Sequence, residues 1–310
     1  MTNAIVGIHG LANKPERADL ADWWEQAIRE GLAKNRSILS ASFSFTMVYW
    51  ADLLYRCSQH HDTAWDFDDL YSDQIYREAE PGALKSYEGG LLEGVLATIL
   101  GFGGAGLDAL RRLRPMGELD AWVIGKRKEV RDLGLYYDEN REIRDRAGKM
   151  RQARLVLMDE LKNAILPLAG QRIMVIAHSM GSIIAYDALR NIGKDTSSFA
   201  VAHFVTIGSP LGLPSVKDHI DTERKRYAEV PVRTPTIVTE RWVNYADRDD
   251  PVALDKRLRD DYRPNDRGVR VEDDLVLNDY TNTKGKRNAH KSYGYLRTPE
   301  LSAHIREFLQ

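Results

Sequence analysis

The chain holds 310 residues, 43% of them hydrophobic, which suffices for a packed core and excludes a disordered or fibrous chain. Lys and Arg number 44 against 46 Asp and Glu, a formal charge of −2, so composition gives no bulk attraction to nucleic acid. A single cysteine, Cys57, excludes an intrachain disulfide and a multi-cysteine metal cluster.

Met1 to Ala4 carry no basic residue, and the apolar run Ala4–Ile8 is too short for a signal-peptide core. It reads instead as a buried strand stopped by His9-Gly10, so the cytoplasm is the expected compartment. Asp19–Lys34 carries Leu20, Trp23, Trp24, Ala27 and Ile28 at helical spacing, and the aromatic and β-branched Ser42–Trp50 reads as a second strand. Residues from about 51 to 137 break the alternation. They read as a mostly helical insertion, a lid or cap, with a Gly-rich apolar stretch at Gly89–Leu110 and a charged helical part at Glu118–Arg131. Within that block Cys57 reads as a packed residue rather than a nucleophile. Arg141–Leu168 has long helical periodicity. Ile173–Ile176 is a strand, Ser182–Arg190 a helix and Phe204–Ile207 a strand, followed by strands at Thr236–Tyr245 and Val269–Leu277 and a helix at Pro299–Leu309. Strands alternating with helices indicate one α/β domain over 1–310, its mostly parallel sheet covered on both faces.

The chemistry-bearing segment is IMVIAHSMGSIIAYDALR, residues 173–190. An apolar strand runs into Ala177-His178-Ser179-Met180-Gly181, and a helix follows. A serine on so tight a turn is thrust out of the sheet, and its flanking residues must be small. Ala177 stands where the strict G-x-S-x-G pattern has glycine. The competing reading, a serine that only caps the helix, is set against strand, elbow and helix in the required order.

On these residues the chain resembles the α/β-hydrolase fold, within it the lipase/esterase group with an H-G oxyanion motif. The resemblance is carried by Ile8-His9-Gly10-Leu11, Ala177–Gly181, the Asp247–Val252 region and His290. The segments Gly208–Gly212 and His290-Lys291-Ser292-Tyr293 share it. It implies a serine nucleophile, then an acid, then a histidine along the chain. Ser179 is the expected nucleophile. His290, in a polar loop before the last helix, is the expected base; its competing reading is a surface histidine. Asp250, in Asp-Pro-Val, is the favoured acid. Asp247, nearer the strand end, is the alternative, and Asp249 the third choice. The implied oxyanion donors are the backbone N–H groups of Met180 and Leu11, with Ala12 one peptide away.

Two other motifs are set aside. Gly101–Gly106 satisfies G-x-G-x-x-G but lacks the further βαβ units of a dinucleotide fold, and His60-His61 has no partner cluster for a metal. Gly89–Leu107, charged only at Glu93, reads as a lid segment, with transient contact with a lipid surface as the alternative. The resemblance therefore implies a serine esterase or lipase, possible phospholipase activity included, without cofactor or metal and acting on a small-molecule or lipid ester. An acyltransferase or thioesterase on the same triad, or a non-catalytic binding protein, are its rivals. Oligomeric state has no signal in the sequence.

Overall fold

The computed structural model describes residues 3–61, 73, 75–80, 131–195, 198–226 and 232–310. Six strands form the central sheet: β1 (Asn3–Ile8), β2 (Ser44–Val48), β5 (Arg172–His178), β6 (Val201–Ile207), β7 (Val238–Asp247) and β8 (Val271–Val276). Their order is β2-β1-β5-β6-β7-β8, and every neighbouring pair is parallel. The central strands are near-continuous apolar runs because both faces of a parallel sheet are covered. Every residue of β6 is buried, and β5 is buried from Ile173 to Ala177.

The pleat sends successive side chains to opposite faces. Val6, Ile8, Ile173, Val175 and Ala177 join one core, built with α4 (Ala153–Ile165), α5 (Met180–Asp195) and α6 (Pro214–Arg226). Ile5, Met174 and Ile176 join the other, built with α1 (Arg17–Arg36), α7 (Ser292–Leu296) and α8 (Pro299–Leu309). α1 turns Leu20, Trp23, Trp24, Ala27, Ile28 and Leu32 inward. It ends at Ser37 (φ 55°), whose N–H reaches Ala33 O while Ile38 N–H reaches Leu32 O.

Arg141–Leu168 is not one helix. A hairpin, β3 (Glu142–Arg144) with β4 (Met150–Gln152), precedes α4. The turn overrides the periodicity: Asp145 Oδ1 accepts from Ala147 N and Lys149 N at 3.0 and 2.9 Å, and Gly148 takes φ 82°. The helices α6 and α7 have no counterpart among the expected elements. α6 buries few apolar residues, Val216 and Ile220 among them, and α7 is five residues long.

Of the 51–137 block, the described parts are residues 51–61, with α2 (Ala51–Leu54) and a 3-10 turn at Gln59–His61, residues 73 and 75–80, and α3 (Arg131–Tyr137). Gly89–Leu110, with Gly101–Gly106 inside it, and residues 118–130 lie outside the described residues. Residues 73 and 75–80 are tied to the body by ion pairs and hydrogen bonds. Asp73 pairs with Lys14 at 3.1 Å and Lys291 at 3.0 Å, and Glu30 takes Tyr76 Oη and Ala79 N. Cys57 is exposed, against expectation; it stands in the bend between α2 and the 3-10 turn. No helix among the described residues is long and apolar enough to cross a membrane.

A serine-bearing turn between β5 and α5, on a parallel sheet covered on both faces, gives the chain the α/β-hydrolase architecture.

Candidate active site

Ser179 sits between β5 and α5 at φ 53°, a left-handed conformation that costs a non-glycine residue free energy and persists only where neighbours impose it. The neighbours are identifiable. Ser179 N–H donates to Ile207 O at the end of β6, 3.1 Å away. A Cβ on Gly181 would stand 2.5 Å from His9 O, and one on Gly10 would stand 2.7 Å from Ser179 Cβ. The elbow and the loop after β1 therefore touch backbone to backbone, and small residues are obligatory on both sides.

The end of β8 and the loop after it deliver His290 to this elbow. Asn278 is fully buried and donates through Nδ2 to Ala289 O and Lys291 O, at 2.9 and 2.8 Å, bracketing His290. Asn288 Oδ1 accepts His290 N–H at 3.0 Å. His290 Nδ1–H faces both Asp250 oxygens at 3.0 Å, which leaves Nε2 to accept from Ser179 Oγ at 3.0 Å. All three residues are at most 2% exposed. The three expected triad residues thus form one continuous hydrogen-bonded line.

Asp250 is carried by the turn after β7. Burial opposes its ionisation, but His290 beside it, Tyr295 Oη and the Val252 N–H hold its carboxyl below the usual carboxylate range. Asp247 faces elsewhere. Its carboxylate accepts from Arg287 and from Asn278 N at 2.6 Å each, and from Asp249 N at 2.8 Å. It closes the turn and pins the base-bearing loop. Asp249 is held by Arg287 at 2.6 Å. Of the three aspartates, only Asp250 reaches His290.

His9 braces the loop after β1. Its Nδ1–H donates to Gly10 O at 2.7 Å, its Nε2 accepts Trp50 N–H at 3.1 Å, and its ring stacks on Trp50 at 4.5 Å. Burial, helped by nearby Lys14, lowers its pKa to about 3, so the ring is neutral. Ala12 takes φ 73° and gives its N–H to Asp132 Oδ2 at 2.8 Å, which leaves Leu11 as the open donor of the pair. No hydrogen bond of Leu11 N–H occurs among the described residues. Met180 opens α5, so its N–H is one that a helix start leaves without an intrahelical acceptor.

Several contributors carry no motif. Tyr295, Asn278 and Asp132 act through partners elsewhere in the chain, and none of them belongs to a motif singled out from the sequence. His178, inside the elbow, donates through Nε2 to His290 O at 2.7 Å. Burial and neighbouring His290 keep its pKa well below the ordinary value. Among the described residues no group of three or more His, Cys, Asp or Glu has the disposition to hold a metal ion. A cavity of about 1190 Å³ opens elsewhere, lined by Tyr137, Arg154, Asp187, His219 and Glu223, and includes none of the triad.

No family model and no curated protein matches the chain. Among solved structures it is similar to one described as ClbQ from the colibactin NRPS/PKS pathway. The two share 12% identity at a TM-score of 0.36, over 99% of this chain and 100% of that one.

Proposed function

We propose that the protein is a serine hydrolase that cleaves carboxylic esters through an acyl-enzyme. The observation that carries this reading is the continuous line from Ser179 Oγ through His290 to Asp250, each contact at 3.0 Å. His290 Nε2 takes the hydroxyl proton as Oγ attacks the carbonyl carbon, and Asp250 holds the imidazole in the tautomer that can accept it. The N–H groups of Met180 and Leu11 receive the oxyanion. His290 then protonates the leaving alkoxide, and water repeats the sequence to release the acid and restore the serine. No cofactor enters these steps.

A lipase or phospholipase is the finer form of the same proposal. The test is covalent labelling with a fluorophosphonate, mapped by peptide mass, beside a p-nitrophenyl ester series of rising chain length extended to phospholipids and acyl thioesters. Label on Ser179 in wild type and none in Ser179→Ala is expected. A folded wild-type protein that takes no label at Ser179 removes the enzyme reading. Turnover confined to the thioesters removes the ester specificity.

A further inference from the structure

Tyr295 lies in α7, five residues beyond His290, and is fully buried. Its hydroxyl faces two groups whose hydrogen-bonding roles are fixed. Asp247 N can only donate, at 2.9 Å, and the Asp250 carboxylate can only accept, at 2.7 Å from Oδ2. A tyrosine hydroxyl has one hydrogen and two lone pairs, so its hydrogen is directed at Asp250. The two oxygens of Asp250 are therefore held differently. Oδ1 is anchored by backbone, the N–H groups of Val252 at 2.8 Å and Ala253 at 3.3 Å, whereas Oδ2 has Tyr295 besides His290. Gly208 completes the arrangement. It takes φ +54°, and a Cβ there would stand 2.8 Å from Asp250 Oδ2, 3.2 Å from His290 Nδ1 and 3.2 Å from Tyr295 Cε2. Acid, base and tyrosine converge on the space that this glycine leaves empty.

We propose that Tyr295 is a positioning residue for the Ser179–His290–Asp250 chemistry, an inference that rests on the hydrolase reading. It fixes the rotation of the acid's carboxylate, so that both oxygens stay turned toward His290. It also draws charge from Oδ2, which limits how tightly the carboxylate holds the imidazolium proton during turnover. The loop that brings in the base thus also brings in the clamp on the acid, within six residues of chain.

The test is Tyr295→Phe, which keeps the ring and removes the donor, with thermal unfolding to establish that the variant is folded. We expect kcat on a p-nitrophenyl ester to fall about tenfold, the lower end of what a hydrogen bond to a charged group is worth, with KM little changed. The acid limb of the kcat/KM profile should move to higher pH, because a carboxylate stripped of one donor holds the imidazolium proton more tightly. Carbon-13 NMR of the Asp250 carboxyl reads the same bond without turnover, and its titration should move upward. A folded variant whose Asp250 titration stays at the wild-type midpoint overturns the proposal, whatever its kcat. A moved titration with wild-type kcat and acid limb overturns the positioning role. Failure of Ser179 to label in the wild type is a separate result: it removes the hydrolase reading and is visible before any Tyr295 variant is made.

Discussion

Asp247 and Asp250 stand three residues apart on one turn, are both buried, and do different work because their donors differ. Asp250 spends its carboxylate on His290 and Tyr295, Asp247 on Arg287 and the backbone of Asn278. Replacing each by asparagine should therefore separate them. Asp250→Asn presents an amide where the imidazole needs an acceptor, and by analogy with other triads kcat should fall about 10⁴-fold with the fold intact. Asp247→Asn should mainly cost stability, about 1–3 kcal/mol for a charged acceptor weakened inside a buried turn, and show as a lower denaturant midpoint. Similar kcat losses in the two variants would place the acid elsewhere. From the sequence, Asp-Pro-Val favoured Asp250 without excluding Asp247, because spacing says nothing about which way a turn aims its side chains. Tyr295 and Asn278 were illegible for the same reason: each acts through hydrogen bonds to chain segments that no local pattern links to it.

The elements that carry the site were the easiest to read. β5 and β6 are buried on both faces, so their sequences are near-continuous apolar runs, broken in β6 by the buried His203 and Thr206, and the elbow lies where one such run meets a helix. The β3–β4 hairpin was hidden because its residues share the periodicity of α4, and only Asp145 and Gly148 mark the turn. The two site-forming loops meet at Gly10, where a Cβ would be 2.7 Å from Ser179 Cβ and 3.2 Å from its Oγ. Neither side can yield easily, because His9 is clamped by Trp50 and the elbow is tied to Ile207. Gly10→Ala should therefore displace the loop against the nucleophile while leaving the sheet intact. A shift of about 1 Å in such a constellation costs roughly 100-fold in rate. Fluorophosphonate labelling at Ser179 should slow by that order, with circular dichroism and the unfolding midpoint near those of the wild type. Wild-type labelling by a folded Gly10→Ala protein would mean that the loop can relax, and that its contact with the elbow does not set the geometry.

Across the molecule, buried histidines couple the fold to pH. His9 sits under the loop after β1. His203 and His304 join β6 to α8 through a 2.8 Å contact, and the chain of bonds continues at both ends. Glu240 can only accept, so His203 Nε2 donates to it at 3.0 Å; His203 Nδ1 then accepts from His304 Nε2, and His304 Nδ1 accepts from Tyr245 Oη at 3.1 Å. This arrangement satisfies both rings in their neutral forms. A proton added to either would be a buried charge facing Arg172 and Arg241. Burial first, then His203 and those arginines, lowers the His304 pKa to about 3, matching that of His9. In the unfolded chain both titrate near the ordinary value of about 6.5. With folded pKa values below unfolded ones, the unfolded state binds protons that the native state refuses, so stability is full above about pH 6.5 and falls as pH drops below it. Each such group gives a limiting slope of about 1.4 kcal/mol per pH unit, approached toward pH 5 before most carboxylates begin to protonate, and the buried His178 adds to the slope from His9 and His304. Urea unfolding at pH 7, 6 and 5 should show this decline. His304→Phe, which cannot take up a proton, should remove about 1.4 kcal/mol per pH unit of that slope, even if the lost bonds to His203 and Tyr245 lower stability at pH 7. A wild-type denaturant midpoint that stays level from pH 7 to 5 would mean that these rings admit protons in the folded state.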